Sequence, residues 1–243
     1  MPMTITANPV TAAGDARRLS QTPSQKPLDD LLAGNPALWR GCDMAGRGDH
    51  GQPTGYPGLD AILPGRGWPR NALVEVVSPR WGMGELQLLV PLMRNVVERG
   101  QWILCIAPPY QLYAPALAQA GIHTRQVLVV RPEASLKDAL WSMEKALQTD
   151  NCGLVLAWQN WLPNKVLRRL QLAAETGQTL GVLLQRHVSK DSPSALRLQI
   201  KACSSRWPAD AESGGVTVRD ADVTVLRARG SFRPLSTRVS LPA

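Results

Sequence analysis

The sequence predicts an α/β fold with a mainly parallel sheet flanked by helices and with antiparallel strands at its C-terminal edge. Between residues 72 and 185, five short apolar runs alternate with segments of helical periodicity. This alternation is typical of parallel strands joined by helical crossovers. After residue 195, apolar and polar residues alternate with a period of two, which favours antiparallel strands with one face in water.

Each predicted element has a local justification. The five apolar runs predict strands at residues 72–78, 102–107, 126–130, 153–158 and 179–185. Apolar residues at helical spacing predict helices at 85–98, 115–120, 136–148 and 163–176. Ser135 is a suitable N-cap for the third of these helices. Pro91 removes one hydrogen bond from the first, which predicts a kink or a late start.

The chain divides into five predicted regions. Residues 1–27 are rich in Thr, Ala, Pro, Ser and Gln and predict a disordered N-terminal tail. The remaining regions are a short helix and linker at 28–53, the core at 54–202, a long loop and edge hairpin completing the sheet at 203–229, and a flexible C-terminal tail at 230–243.

Composition favours an anionic partner and a cytoplasmic location. The net charge is +8 and the pI is about 9.8, which suits nucleic acid or an acidic protein face. No apolar run is long enough for a bilayer, and the N-terminus lacks the pattern of a signal peptide. The four cysteines form no Cys-x-x-Cys pair, so we expect no metal site, and we expect Cys105 and Cys152 to be buried.

Residues 78–85 have the length and position of a phosphate-binding loop but not its chemistry. The strand–glycine turn–helix layout and two glycines are present. However, Gly84 stands where a lysine should meet the phosphates, and Glu85 stands where a hydroxyl should hold Mg²⁺. We therefore predict a degenerate nucleotide loop, whose residues are Ser78, Trp81, Gly82, Gly84 and Glu85.

Several segments resemble known families. Residues 54–75, with the Leu59-Asp60 pair and Glu75, are similar to the lead-in to the RecA ATPase core. Over roughly residues 36–230 the chain resembles the ImuA family, RecA-like accessory proteins of SOS mutagenesis. The segments that carry this resemblance are 63–70, 82–86, 107–110, 113–117, 156–158 and 167–174.

The RecA resemblance allows two further ATPase positions to be checked. Pro109 stands near the position of the acidic water-positioning residue, and Trp158 stands where a Mg²⁺-linked Asp ends a strand. Phosphoryl transfer depends on such charges and on metal placement. The resemblance therefore implies a degenerate RecA-like core that is not an enzyme and holds no cofactor. Gln185 matches the nucleotide-sensing glutamine of RecA, and we interpret it as structural.

Candidate contacts with a partner or with DNA come from two sources. RecA binds DNA through the loops after its fourth and fifth strands, which here contain Trp161, Lys165, Arg186 and Lys190. At the predicted C-terminal hairpin and tail, Arg227, Arg229 and Arg233 form a basic rim beside edge strands, which invite a partner.

Three functions remain open at this point. The ImuA resemblance implies a non-catalytic protein of error-prone translesion DNA synthesis. Its partners would be the Y-family polymerase homologue ImuB, an error-prone C-family polymerase and RecA, with DNA as a further candidate. The first alternative is a division inhibitor similar to SulA, a degenerate RecA relative that blocks the division protein FtsZ. The second is a DNA-stimulated ATPase with a divergent phosphate loop.

Overall fold

An eight-stranded sheet runs through the computed structural model of the protein. The structure describes Gly34, 51–188, 192–203, 219–229 and 234–241, with only the backbone at residue 219. The chain divides into two units, residues 1–43 and 44–243. Gly34 lies in a helix of the first unit, and the other described residues belong to the second. The predicted tail at 1–27 and nearly all of the predicted helix and linker at 28–53 lie outside the described residues.

The helices and strands alternate up to β5, after which the described elements are strands. The helices are α1 Pro57–Ile62, α2 Glu85–Glu98, α3 Ala114–Gln119, α4 Leu136–Leu147 and α5 Asn164–Thr176. The strands are β1 Leu73–Val77, β2 Trp102–Ile106, β3 Val127–Val130, β4 Cys152–Trp158, β5 Leu180–Gln185, β6 Leu196–Ala202, β7 Arg219–Ala228 and β8 Leu235–Leu241. A 3₁₀ turn, Thr124–Gln126, precedes β3. The five predicted strands and four predicted helices are therefore present.

The strand order is β3-β2-β4-β5-β1-β6-β7-β8. The first six strands in this order are parallel, and β7 and β8 continue the sheet in antiparallel pairing. The predicted α/β class with a mainly parallel sheet is thus confirmed. Among the described helices, none is long and apolar enough to cross a membrane.

Alternate residues of the central strands β1, β2, β4 and β5 enter two apolar clusters on opposite faces of the sheet. In β1, Val74 and Val76 join the cluster under α2, whereas Leu73 joins the cluster under α4 and α5. Because both faces are covered there, the central strands are apolar without alternation. Cys105 and Cys152 are buried in these clusters as predicted, and burial raises the pKa of the Cys105 thiol to about 12.

The position of β6 differs from the prediction of an antiparallel edge strand. β6 pairs in parallel with β1 and lies inside the sheet. Its apolar residues Leu196, Leu198 and Ile200 extend the cluster under α2, and Lys201 is exposed on the other face. The alternation of apolar and polar residues in β6 has a structural cause. Helices α4 and α5 contact the other face of the sheet at β1, β2, β4 and β5. β6 lies beyond these strands, so much of its other face is polar.

The C-terminal region also differs from its prediction. Residues 235–241, predicted as part of a flexible tail, form the edge strand β8. Val239 and Leu241 are buried, and β8 pairs with β7 along seven residues. Ser, Thr and Arg between the apolar positions concealed this strand in the sequence. The hairpin of the edge is therefore β7–β8, and residues 204–218 of the predicted loop and hairpin at 203–229 lie outside the described residues.

Helix α2 begins at Glu85 with Pro91 in its interior, so of the two predicted alternatives, a kink or a late start, the late start does not occur. Pro91 has no N–H, which leaves the carbonyl of Gln87 without its helical donor. The hydroxyl of Tyr56 donates to that carbonyl at 2.9 Å. Gly55, with φ +88°, lies against the proline ring, where an added Cβ would come within 2.6 Å of Pro91 Cβ. The segment before α1 therefore supplies, through Tyr56, the hydrogen bond that Pro91 removes from α2.

A buried ion pair joins β1 to β6. Glu75 is fully buried and Arg197 is 5% exposed, and Arg197 Nε donates to Glu75 Oε2 at 2.5 Å. The two residues are direct register partners, so the ion pair links β1 to β6 in this register. Charges taken out of water need such a partner, because an unpaired buried carboxylate is strongly destabilising.

The Tyr56 hydroxyl gives a prediction with a pH dependence. Replacing Tyr56 with Phe leaves the Gln87 carbonyl without a donor and should cost about 1–3 kcal/mol of unfolding free energy at pH 8. Burial raises the pKa of Tyr56 to about 12, from 10.0 in the unfolded chain. Tyr56 therefore contributes fully below pH 10, and its contribution falls as the pH rises towards 12. Urea unfolding of both proteins at pH 8–11.5 should show the gap narrowing above pH 10; a constant gap would contradict the assignment.

The buried ion pair gives a second prediction. Arg197→Met should destabilise the protein by about 3–5 kcal/mol, because the Glu75 carboxylate stays buried without its guanidinium. The double variant Glu75→Leu/Arg197→Met should recover much of this loss in urea unfolding. As a control, Arg169→Met breaks the more exposed pair with Glu144 and should cost less than about 1 kcal/mol. Equal losses for the two single variants would show that β1 and β6 are not joined in this way.

Candidate functional site

Four loops leave the sheet at the carboxyl ends of neighbouring parallel strands. We call them the carboxyl-edge loops: residues 78–84 after β1, 107–113 after β2, 159–163 after β4 and 186–188 after β5. The strand order β2-β4-β5-β1 places these strand ends side by side. In open α/β sheets, ligands bind outside the carboxyl ends of the strands, so this edge is the candidate functional site.

The loop after β1 is held by the neighbouring strand and by its own turn. The amide of Ser78 donates to the carbonyl of Gln185 at 2.8 Å, and its hydroxyl donates to the carbonyl of Arg80 at 2.6 Å. Gly82 and Gly84 have φ of +82° and +100°, a region that favours glycine. The glycines of the predicted degenerate nucleotide loop are therefore required by its backbone.

The carboxylate of Glu85 occupies the amides of this loop. Glu85 Oε1 accepts from the amide of Gly82 at 2.6 Å, and Oε2 accepts from the amide of Met83 at 2.8 Å. The side chain is only 4% exposed. Loop amides at a helix N-terminus are the groups that cradle phosphate in a working loop. Here the protein's own carboxylate takes two of them, so an incoming phosphate would have to displace it.

Strand β8 closes the same loop from another side. A Cβ built on Gly84 would lie 2.4 Å from Leu241 Cδ1, and Leu241 is 1% exposed. A lysine at this position would therefore collide with β8 as well as needing an unusual backbone conformation. The glycine at position 84, which replaces the lysine, is therefore also what leaves room for Leu241 of β8.

The other predicted ATPase positions lie along the same edge. Pro109 is exposed in the loop after β2. Trp158 ends β4 and is 9% exposed, packed in the apolar cluster under α2. Its indole thus fills the place that the resemblance gave to a metal-linked carboxylate. Gln185 is 1% exposed at the end of β5, where its backbone carbonyl holds Ser78.

Three aromatic side chains project from two adjacent loops. Tyr110 and Tyr113 are 68% and 71% exposed after β2, and Trp161 is 72% exposed after β4. Large exposed aromatic residues at loop tips are the residue types that anchor protein interfaces. Trp161 was predicted as a contact from the sequence, but the two tyrosines were not. The signal for them was the pair of tyrosines within four residues of Pro109, beyond the end of a strand.

The described residues of the carboxyl-edge loops include cations and no carboxylates. Arg80 and Arg186 are exposed, and Lys165 is exposed in the first turn of α5 beside the loop after β4. None of the described residues of the four loops is Asp or Glu. This edge is therefore basic and aromatic, which suits a partner surface that is acidic and apolar.

The structure divides the predicted contact residues into two groups. Trp161, Lys165 and Arg186 lie together at the carboxyl edge. Arg227 and Arg229 lie at the opposite end of the sheet, because β7 is antiparallel to β6 and ends beside its first residue. There Arg227 donates to the carbonyl of Ser192. Lys190 and Arg233 lie outside the described residues.

Comparisons with known proteins give one family. The family model described as "Cell division inhibitor SulA" matches residues 74–181. The SulA of Edwardsiella piscicida is 32% identical over 108 residues, which cover 44% of this chain and 64% of that protein. The SulA of Yersinia pestis strain Pestoides F is 33% identical over 99 residues, covering 41% and 58%. The chain thus matches less than two thirds of the length of either relative.

A solved structure carries the same name. The crystal structure of SulA from Pseudomonas aeruginosa matches 46% of this chain and 96% of its own chain, at 26% identity and a TM-score of 0.39. The segment from 74 to 181 is similar to SulA. It runs from β1 to the start of β5 and therefore contains the loops after β1, β2 and β4.

These comparisons overturn the expected family. The ImuA resemblance is wrong, because the family model and the relatives described above are all SulA proteins. The predicted role in translesion synthesis is therefore also wrong. The partners inferred from that role, namely ImuB, the C-family polymerase, RecA and DNA, are wrong for the same reason. The short motifs that suggested ImuA lie mostly inside the segment that matches SulA, so they did not discriminate between the two families.

The Glu85 contacts give a prediction about the loop. Glu85→Ala should destabilise the protein by about 1–3 kcal/mol, because two partly buried amides lose their acceptor. Inorganic phosphate should then raise the thermal midpoint of the variant more than that of the parent, since the vacated amides suit an anion. The control Glu98→Ala changes an exposed carboxylate at the far end of the same helix. If phosphate shifted all three proteins equally, Glu85 would not be the resident anion of this loop.

Proposed function

We propose that this protein is a SulA-like inhibitor of cell division that acts by binding FtsZ. The observation that carries the proposal is the similarity of residues 74–181 to SulA proteins, at 32–33% identity. SulA was the first alternative drawn from the sequence, as a relative that blocks FtsZ. The proposed partner places the action of the protein in the cytoplasm.

We further propose that the protein is not an enzyme and that its core descends from a RecA-like ATPase. The layout of β1, the glycine-bearing loop and α2 supports this descent. The carboxylate of Glu85 at the loop amides and the side chain of Leu241 at Gly84 support the loss of nucleotide binding. Trp158 in the core supports the loss of the metal-linked carboxylate.

The carboxyl-edge loops are the proposed binding surface for FtsZ. Three of these loops fall inside the segment similar to SulA. They present Tyr110, Tyr113 and Trp161 at 68–72% exposure, beside cations and without described carboxylates. An exposed aromatic residue loses little conformational entropy on binding and buries a large area, so such residues dominate interfaces. The surrounding cations steer an acidic partner towards them.

The proposal is tested first with the unaltered chain. Its expression in a bacterial host should produce filaments, and the purified protein should reduce the amount of FtsZ that sediments with GTP. Incubation with Mg-ATP should give no turnover above that of buffer. Filament-free growth with intact, soluble protein, together with unchanged FtsZ sedimentation, would overturn the proposed function.

Substitutions at the edge locate the binding surface. Trp161→Ser and Tyr113→Ser should each weaken FtsZ binding by about 10-fold or more, since each removes an exposed aromatic contact. Trp141→Ser is the matched control, because Trp141 is 60% exposed on α4 outside the four loops. All three variants should unfold near the parent midpoint. Equal weakening by the control, or undiminished binding by both edge variants, would place the interface elsewhere.

A further inference from the structure

A cavity of about 220 Å³ lies at the opposite end of the sheet from the carboxyl-edge loops. Its floor is formed where β1 and β6 begin and β7 ends, by Ala72, Leu196 and Ala228, all of them buried. Its wall is the loop 63–71 together with Gly51. None of the lining residues falls within 74–181, so the cavity is built outside the segment similar to SulA.

The wall of the cavity is fixed by its own backbone. The amide of Gly51 donates to the carbonyl of Gly65 at 2.7 Å, and Gln52 and Trp68 exchange two backbone hydrogen bonds at 2.7 and 2.8 Å. Trp68 is fully buried and anchors this wall to the core. The cavity is therefore preformed, which is the usual condition of a small-molecule site.

The loop that forms the wall also holds strained backbone. Asn71, which lines the cavity, has φ of +52°, and Arg66 in the same loop has φ of +53°. Asn is one of the residue types that tolerate this region in turns, whereas Arg66, which lies outside the cavity lining, is held there by the surrounding structure. The loop therefore keeps one defined backbone conformation around the cavity.

The rim of the cavity is cationic. Arg70 and Arg229 line it, and no Asp or Glu is among its lining residues. Glu175 lies outside, with its Oε1 4.0 Å from Arg229 Nη1, and that same oxygen accepts from Gln171 at 2.7 Å. The ion pair between Glu175 and Arg229 is long and exposed, so a carboxylate bound at the rim competes with Glu175 for Arg229. The planar donor geometry of the guanidinium group suits a carboxylate.

The volume suits one small apolar group. Each water takes about 30 Å³ of liquid volume, so the cavity holds about seven waters or a group the size of leucine. Its floor is aliphatic and offers no charged side chain, so burial there favours an apolar group.

We propose that this cavity binds a small carboxylate bearing one branched apolar group, with the carboxylate at Arg70 and Arg229. Such a group is found in a free acid derived from leucine and in the C-terminal residue of a peptide. The site is separate from the proposed FtsZ surface, since it lies at the other end of the sheet.

Calorimetry with the full chain tests the ligand's chemistry. The probes are N-acetyl-leucine, N-acetyl-leucinamide, N-acetylglycine, the peptide Gly-Gly-Gly-Leu and inorganic phosphate. The amide should bind about 10-fold more weakly than the acid, since it cannot make charge-assisted bonds. N-acetylglycine should also lose about 10-fold, because it leaves the floor unfilled. Tighter binding of the peptide would identify a protein C-terminus as the source, and binding of N-acetyl-leucine as tightly as the peptide would identify a free acid.

Variants test the position of the site. Arg70→Gln and Arg229→Gln should each weaken N-acetyl-leucine by about fivefold or more. Arg99→Gln, an exposed arginine outside the cavity, should leave binding unchanged. All three positions are exposed, so folding should be retained and is checked by thermal midpoint. The proposal is overturned by equal binding of acid and amide, by binding of phosphate alone, by insensitivity to both variants, or by no binding of N-acetyl-leucine or the peptide.

Discussion

The hydrogen bonds between the Glu85 carboxylate and the amides of its own loop are the interaction on which the junction of β1, α2 and β8 depends. The carboxylate neutralises the N-terminal end of α2, which the helix dipole makes positive. It also fixes the turn at Gly82 and Gly84 that carries the chain from β1 into α2. Because Gly84 has no side chain, Leu241 of β8 can pack against it. An internal anion thus allows the C-terminal strand to close over the loop.

The strand order explains how this loop gains its neighbours. β5 lies between β1 and β4, so residues far apart in sequence share one edge of the sheet. The loops after β2 and β4 bring Tyr113 and Trp161 to adjacent strand ends, although 48 positions separate them. A rigid sheet holds these loop ends in place, so the exposed aromatic side chains lose little backbone entropy on binding. The strand order therefore creates a surface that is aromatic, basic and free of described carboxylates. No single stretch of the sequence contains all of its residues.

The sequence predicted β1, β2, β4 and β5 because both faces of each are covered, which leaves a continuous apolar run. It also predicted β3, which is apolar although it is an edge strand with Leu128 and Val129 exposed. It failed at β6 because alternation reports how many faces are covered and not the direction of the neighbouring strand. It failed at β8 because Ser236, Arg238 and Ser240 separate the buried residues. At the site, the missing lysine was visible in the sequence. The partner of Glu85 and the contact of Leu241 with Gly84 were not, since both depend on tertiary geometry.

Strands β6, β7 and β8, which lie outside 74–181, contribute to the core of the protein. The apolar residues of β6, β7 and β8, among them Leu198, Val223 and Val239, belong to the same cluster as β1. Glu75 within the matched segment is buried against Arg197 outside it. A protein limited to the matched segment would expose that carboxylate and one flank of β1. Whatever this protein shares with SulA between β1 and β5, its stability therefore depends on strands that the matched segment does not contain. Two of these strands, β6 and β7, contribute Leu196 and Ala228 to the floor of the basic cavity.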